Sequence, residues 1–300
     1  MLAASLTAAL LLAQPSGVAA DERHEVIGRS HEGRTIKVHR YGDFSGPRRI
    51  LVVGCIHGNE CEGSEVTRRL ARGALPAGLD LWVVHNLNRD GYRLRVRQNA
   101  RGVDLNRNFR SEWVPIGERW DPEYSGPRPW SERETRIARD LIRRVRPDVT
   151  IWYHQPQAVV RAWGGSRATA RRYARLAREP YRSIRWPPGT AANWQNHRFP
   201  GKASFVVELP AGELSDRRGA RHARAVRRLL PLFLDRTAEP EAVGSGYRLS
   251  PAVNAELREN VLDVRRDRLR ADHEALGDLA LIEPFRQMEE HVELAWRQRL

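Results

Sequence analysis

The 300-residue chain is 41% hydrophobic and 29% charged, a balance that suits one large globular domain or one domain with an appendage. Its formal net charge is +14, yet only Lys37 and Lys202 among 51 basic residues are lysines, and the arginines are interleaved with acids along the whole length. A phosphate-binding stripe would be concentrated, so the spread argues against nucleic acid as a partner, while attraction to an anionic surface or substrate is compatible with it.

The first segment, "MLAASLTAALLLAQPSGVAAD", has no charge before Asp21, and its apolar part runs from about Leu2 to Ala13. That is too short to span a bilayer comfortably, so no stable membrane insertion is expected. Val18 and Ala20 satisfy the small-x-small rule for signal peptidase. Residues 1–20 are therefore expected to be a signal peptide, which would send the protein to the cell envelope or the medium. The usual positive start is missing, and a frayed apolar helix is the competing reading.

Next, β-type runs alternate with helical ones. "RTIKVHRYG", "RRILVVGCIHG", "LDLWVVHNLN", "DVTIWYHQP" and "ASFVVELP" are rich in Val, Ile and aromatics and stop at turn residues. The helical stretches are "ECEGSEVTRRLARGAL", "SERETRIARDLIRRVRP" and "SDRRGARHARAVRRLLPLFL". The second shows a capping-box pattern, Ser131 and Glu134, and places Ile137, Leu141, Ile142 and Val145 on one face. Alternation of this kind predicts an α/β fold with a mixed, mainly parallel twisted sheet flanked by helices. The catalytic-type domain is expected over residues 24–237. After Ala238, "AEPEAVGSGYRLSP" reads as a linker, and residues 238–300 as a linker plus helical extension.

In such sheets ligands collect beyond the carboxyl ends of the strands. His57, His85, His154 and Glu208 each follow or end an apolar run. In "GCIHGNE", residues 54–60, a strand runs out into an imidazole, with a carboxylate three residues later. His57 and Glu60 can reach one cation if the chain turns between them, and Gly58 eases that turn. With a third ligand from a distant strand, either His154 or His85, the set becomes the two histidines and one glutamate of catalytic zinc sites. Zinc there polarises a carbonyl and acidifies a water. A disulfide, metal ligation and buried thiols all suit the flanking pair Cys55 and Cys61, with a buried thiol preferred for Cys55. His197 and His222 read as surface residues.

Further along come "GVDLNRNF" (102–109), "NRDG" (88–91), "IWYHQP" and "FVVELPAG". Taken together, "HGNE", "VDLNRNF", "HQP" and "VVELPAG" resemble the zinc carboxypeptidases of the carboxypeptidase A superfamily, in particular its bacterial branch acting on murein peptides. The resemblance runs from about Arg34 to Leu234. It implies one zinc ion held by His57, Glu60 and His154, which selects His154 over His85 because the family pattern includes the following "QP". It implies Glu208 as the general base and Arg97 as the stabiliser of the developing oxyanion. Asn106 and Arg107 would grip the substrate's carboxylate, and Asp104 would orient the first zinc histidine. Arg97 sits among Arg93, Arg95 and Arg101, for which a solvated face is the plain alternative.

Two departures from the pattern stand out. Arg89 occupies the place of a proline in "NPDG". The mobile tyrosine of animal carboxypeptidases has no clear match in "SIRWPPGTAANW", where only Tyr181 is near. The resemblance implies a hydrolase of cell-wall peptides at the γ-D-glutamyl bond to a diamino acid, with a peptide or muropeptide as its partner. A general metallocarboxypeptidase releasing C-terminal residues is the alternative. A non-catalytic cell-wall binding protein is the third reading, which a missing base or ligand would favour.

Overall fold

A computed structural model describes residues 22–229. The expected signal peptide (1–20), the linker and helical extension (238–300) and the last part of the expected catalytic domain (24–237) lie outside the described residues. The strands are β1 (Glu22–Arg29), β2 (Thr35–Gly42), β3 (Arg48–Val53), β4 (Leu79–Val84), β5 (Val149–His154), β6 (Gln157–Ala162), β7 (Tyr181–Ser183) and β8 (Ala203–Pro210). The helices are α1 (Gly63–Leu70), α2 (Arg89–Leu94), α3 (Arg133–Val145), α4 (Arg167–Ala177), α5 (Ala191–Arg198) and α6 (Asp216–Arg227).

All eight strands form one sheet in the order β1-β2-β4-β3-β5-β8-β6-β7. Its centre, β4-β3-β5-β8, is parallel, as the near-continuous apolar runs of these strands predict for a sheet covered on both sides. The flanking pairs β1–β2, β2–β4 and β6–β8 are antiparallel, so the sheet is mixed as expected.

Side chains alternate between sheet faces, and β5 shows what each face carries. Tyr153 points to the side of α1, α4 and α6, where its hydroxyl shares a 2.6 Å hydrogen bond with Tyr173 of α4 and a Cβ on Gly63 of α1 would fall 2.3 Å from its own. Trp152 points the other way, against Phe109, which also packs on Trp130 and on Trp194 of α5. His154, two residues beyond Trp152, shares that second face. The cleft therefore opens on the face covered by α5 and the 105–109 loop.

Several local expectations change. The capping box does not form: α3 begins after Glu132, with no side-chain cap. Instead the Ser131 hydroxyl donates to Glu132, and Glu134 turns inward to accept from the His31 amide and from Asn99. Strands β1, β6 and β7 and helices α2, α4 and α5 add to the elements expected. His197 and His222 are buried rather than on the surface. His197 bonds Ser111 Oγ (2.6 Å), and His222 bonds Tyr173 and faces Glu179 across the α4–α6 contact.

Candidate metal centre

β3 ends at Val53, and the chain turns through Gly54–Glu60 before α1 starts. Gly58 makes this turn possible for a reason other than backbone freedom. A Cβ there would fall 2.0 Å from the carbonyl carbon of Gly91 in α2. The Gly58 amide also donates to Arg97 O (3.2 Å), fastening the turn to the segment after α2. Cys55 and Cys61 are joined by a disulfide, with Cα atoms 4.6 Å apart. This corrects the reading of Cys55 as a free thiol. The turn folds back far enough to bring both residues within bridging distance, and neither sulfur is left as a metal ligand.

Inside this bridge His57 and Glu60 face His154, the last residue of β5. Glu60 Oε2 lies 2.9 Å from His57 Nδ1 and 3.1 Å from His154 Nδ1, and the two ring nitrogens are 3.1 Å apart. Among the described residues this is the cluster able to hold a metal ion. His57 Nε2 is 2.8 Å from Asp104 Oδ1. An ionised carboxylate only accepts, so Nε2 carries a proton, and with a metal bound Nδ1 would be the nitrogen that presents its lone pair to the ion. No single proton can serve three acceptors at these distances, whereas a cation can. Two imidazoles and one carboxylate suit zinc and leave a fourth coordination position open.

Electrostatics support the arrangement. Burial opposes ionisation of Glu60, but the two imidazoles hold its carboxyl well below the usual range. Burial likewise works against the Asp104 carboxylate, and His57 together with Arg97 outweighs it. Burial lowers the pKa of His154, whereas the Asp104 and Glu60 carboxylates overcome burial at His57 and raise it.

Arg97 is half-buried while Arg93, Arg95 and Arg101 are exposed. Its Nη1 donates to Glu60 Oε1 (2.6 Å) and its Nε to Asp104 Oδ2 (3.0 Å) and Pro122 O (2.9 Å). This leaves Glu60 Oε2 free to face the imidazoles. Asp104 also caps the 3₁₀ turn at Leu105–Arg107 by accepting from the Asn106 amide (2.8 Å). Asn106 Oδ1 accepts from the Ala191 amide at the start of α5 (2.9 Å), and its Nδ2 lies 3.4 Å from His154 Nε2. Arg107 donates to Asn106 O (2.9 Å) and pairs with Glu123, while its buried Nε has no partner among the described residues.

Glu208 stands on β8 directly beside His154 in the parallel register. One of its oxygens is 3.5 Å from Arg161 Nη1, and the other is buried without a partner among the described residues. His57, Glu60, Arg97, Asn106, Arg107, His154 and Glu208 all line one cavity of about 530 Å³; Asp104 sits behind it, fully buried. His85 does not join them. Its ring bonds Thr67 of α1 (2.7 Å) and packs edge-on against His39.

The sequence reading missed Arg161, Glu123 and Gln155 as cavity residues, although an arginine inside the apolar run "QAVVRAW" was an available signal. Among the described residues no tyrosine lines the cavity; Trp186 and Pro187 do. Tyr181 lies on the edge strand β7 under Arg171. Arg89 opens α2 and lines a neighbouring cavity.

Residues 21–191 match the model of the zinc carboxypeptidase family, Peptidase_M14. The chain is 36% identical over 149 residues to murein peptide amidase A of Escherichia coli K12, a match covering 44% of this chain and 61% of that protein. It is 29% identical over 153 residues to human carboxypeptidase A6, covering 41% and 35%. The chain thus spans less than two thirds of the length of these curated relatives. Among solved structures, murein-tripeptide amidase MpaA of Escherichia coli O157 superposes with a TM-score of 0.56 at 25% identity, covering 73% of this chain and 93% of that one. Carboxypeptidase A of Helicoverpa armigera gives a TM-score of 0.61 at 19% identity, covering 73% and 70%. A metal-ligand cluster at the carboxyl end of a mixed sheet, found in a chain most of which matches the family's model, leads to one conclusion: this protein belongs to the zinc carboxypeptidase family.

Proposed function

We propose that the chain is a zinc-dependent hydrolase acting on cell-wall peptides at the amide between a γ-D-glutamyl residue and a diamino acid. The observation that carries this reading is the meeting, in one cavity, of a His57–Glu60–His154 cluster, the Glu208 carboxylate and the Asn106–Arg107 pair. The likeness to murein peptide amidase A directs the choice of substrate. Peptidoglycan lies outside the cytoplasm, so the reading carries with it export through the N-terminal segment.

His57, Glu60 and His154 would hold the zinc ion, which when bound supplies Lewis-acid polarisation of the scissile carbonyl and a more acidic water. Arg107 and Asn106 fix the carboxylate of the leaving residue, which sets the scissile bond in place. Glu208 takes a proton from the attacking water as its oxygen adds to the carbonyl carbon, then returns that proton to the nitrogen as the C–N bond breaks. Arg97 places positive charge beside the oxygen on which negative charge develops.

Purified full-length protein is expected to carry about one zinc per chain and to cut γ-D-glutamyl–diaminopimelate peptides, with chelation abolishing the reaction. A general metallocarboxypeptidase is the second reading, favoured by the carboxylate grip at Asn106 and Arg107, which suits any C-terminal residue. Preferential trimming of hippuryl-type substrates would establish it and reject the murein reading.

A further inference from the structure

The reaction proposed above needs one carboxylate grip, yet the cavity holds a further cation with little to do. Arg161 on β6 is the register partner of Val206, and Val159 is the partner of Glu208. Glu208 in turn pairs with His154. Alternation of side chains therefore sets Arg161, Val206, Glu208 and His154 on one face of the sheet, all lining the same cavity. Among the described residues, the one polar contact of the Arg161 side chain is 3.5 Å to Glu208 Oε1, at the outer limit of a hydrogen bond, and its buried Nε has no partner. A guanidinium has five donors in a planar fork. A buried donor left unused costs free energy, and an acceptor that arrives with the ligand would recover it while replacing water at the remaining donors.

Resting on the reading above, we propose that Arg161 binds a second carboxylate, carried on the side chain of the leaving residue, so that the pocket selects a dicarboxylic amino acid such as diaminopimelate over lysine. Glu208 returns its proton to the leaving nitrogen, so the groups around Glu208 face the leaving residue rather than the acyl side. Arg107 and Asn106 take that residue's main-chain carboxylate. Val206 and Trp186 line the same cavity and supply apolar surface for the connecting methylenes. A planar, bidentate donor suits a carboxylate better than a lysine would.

The test uses the zinc-loaded full chain, two γ-D-glutamyl peptides that differ only in ending with diaminopimelate or lysine, and calorimetric binding of the two free amino acids. Wild type is expected to favour the dicarboxylic partner by about tenfold to a hundredfold in kcat/KM and in binding, the range of one hydrogen-bonded charge. Arg161→Gln should erase that ratio, mainly through KM, and Arg161→Lys should restore part of it. Equal losses on both substrates, with the ratio intact, would mean that Arg161 serves only Glu208 and would overturn the assignment. So would a wild type without preference. If neither γ-glutamyl peptide is cut, the ratio is read on hippuryl peptides ending in glutamate or glutamine and on binding. A preference surviving there rejects the murein reading but keeps this one; its absence there rejects this one.

Discussion

His154 and Glu208 are direct register partners across the parallel pair β5–β8. Their side chains therefore leave the sheet on the same face, side by side at its carboxyl end, without help from any loop. Two groups held this way keep their spacing through the sheet's own hydrogen bonds, and such rigid placement is what the proposed roles of metal ligand for His154 and proton carrier for Glu208 require.

Glu208→Gln tests the role assigned to that carboxylate. The amide keeps the shape but cannot accept the proton, so kcat is expected to fall by about a hundred- to ten-thousandfold. Zinc content should remain at wild-type level, because Glu208 is outside the His57–Glu60–His154 cluster. Retained turnover in this variant removes Glu208 from proton transfer.

Asp104→Asn tests how much of the site is built behind the ligands. Asp104 accepts from His57 Nε2 and from Arg97, and burial is complete. Losing its charge loosens the tautomer and orientation of His57, so zinc affinity is expected to fall about ten- to a hundredfold. Competition against a chromogenic chelator measures this. An unchanged affinity would show that the His57 ring is held by packing alone.

His154→Ala and His85→Gln form a matched pair, since both imidazoles stand at strand ends. Removing His154 takes away one of the three proposed ligands, and zinc is expected no longer to copurify. Removing His85 breaks a bond to Thr67 on α1. Burial lowers the His85 pKa to about 4, so in the fold it is a neutral structural ring at working pH. His85→Gln is expected to retain zinc at a stability cost of roughly 1 kcal/mol. Metal analysis of the two purified variants decides which histidine completes the cluster.

Much of this arrangement could be read from the chain because its elements obey simple periods. β3, β4, β5 and β8 are short apolar runs, so both the parallel centre and the placing of His57, His154 and Glu208 near or just beyond the carboxyl ends of strands were visible. Helix α5 was hidden for the opposite reason. "AANWQNHR" is buried on nearly every side and shows no amphipathic stripe. Its polar side chains are satisfied by partners outside the helix, Gln195 by Thr150 on β5 and Asn196 by the Ser204 backbone on β8. Strand β1 was hidden because an exposed edge, "ERHEVIGR", carries mostly charged and polar residues. Gly58 was noticed for the wrong property, since only the folded chain shows how closely Gly91 approaches. Arg161 was missed because its short apolar run was not read as a strand, so nothing assigned the side chain to the cavity face of the sheet.

Acid sensitivity supplies a test away from the metal. Glu179, between α4 and β7, accepts from Arg218 through both of its oxygens (2.9 Å each) and faces His222 Nε2 at 3.3 Å. Burial alone would raise its pKa, but His222 and Arg218 outweigh burial and lower it from 4.5 to about 2. A carboxyl whose folded pKa lies below its unfolded value contributes its stability fully above the unfolded pKa. That contribution fades as pH falls from 4.5 toward 2, and it is on the order of 3 kcal/mol for a shift of this size. Glu179→Gln should be less stable than wild type at pH 7, because Arg218 and His222 lose their charged partner. The gap should close steadily as pH falls through the carboxylate range, since wild type then loses what the variant never had. Urea midpoints for both proteins at several pH values measure it; parallel curves would show that Glu179 titrates alike in the folded and unfolded chain.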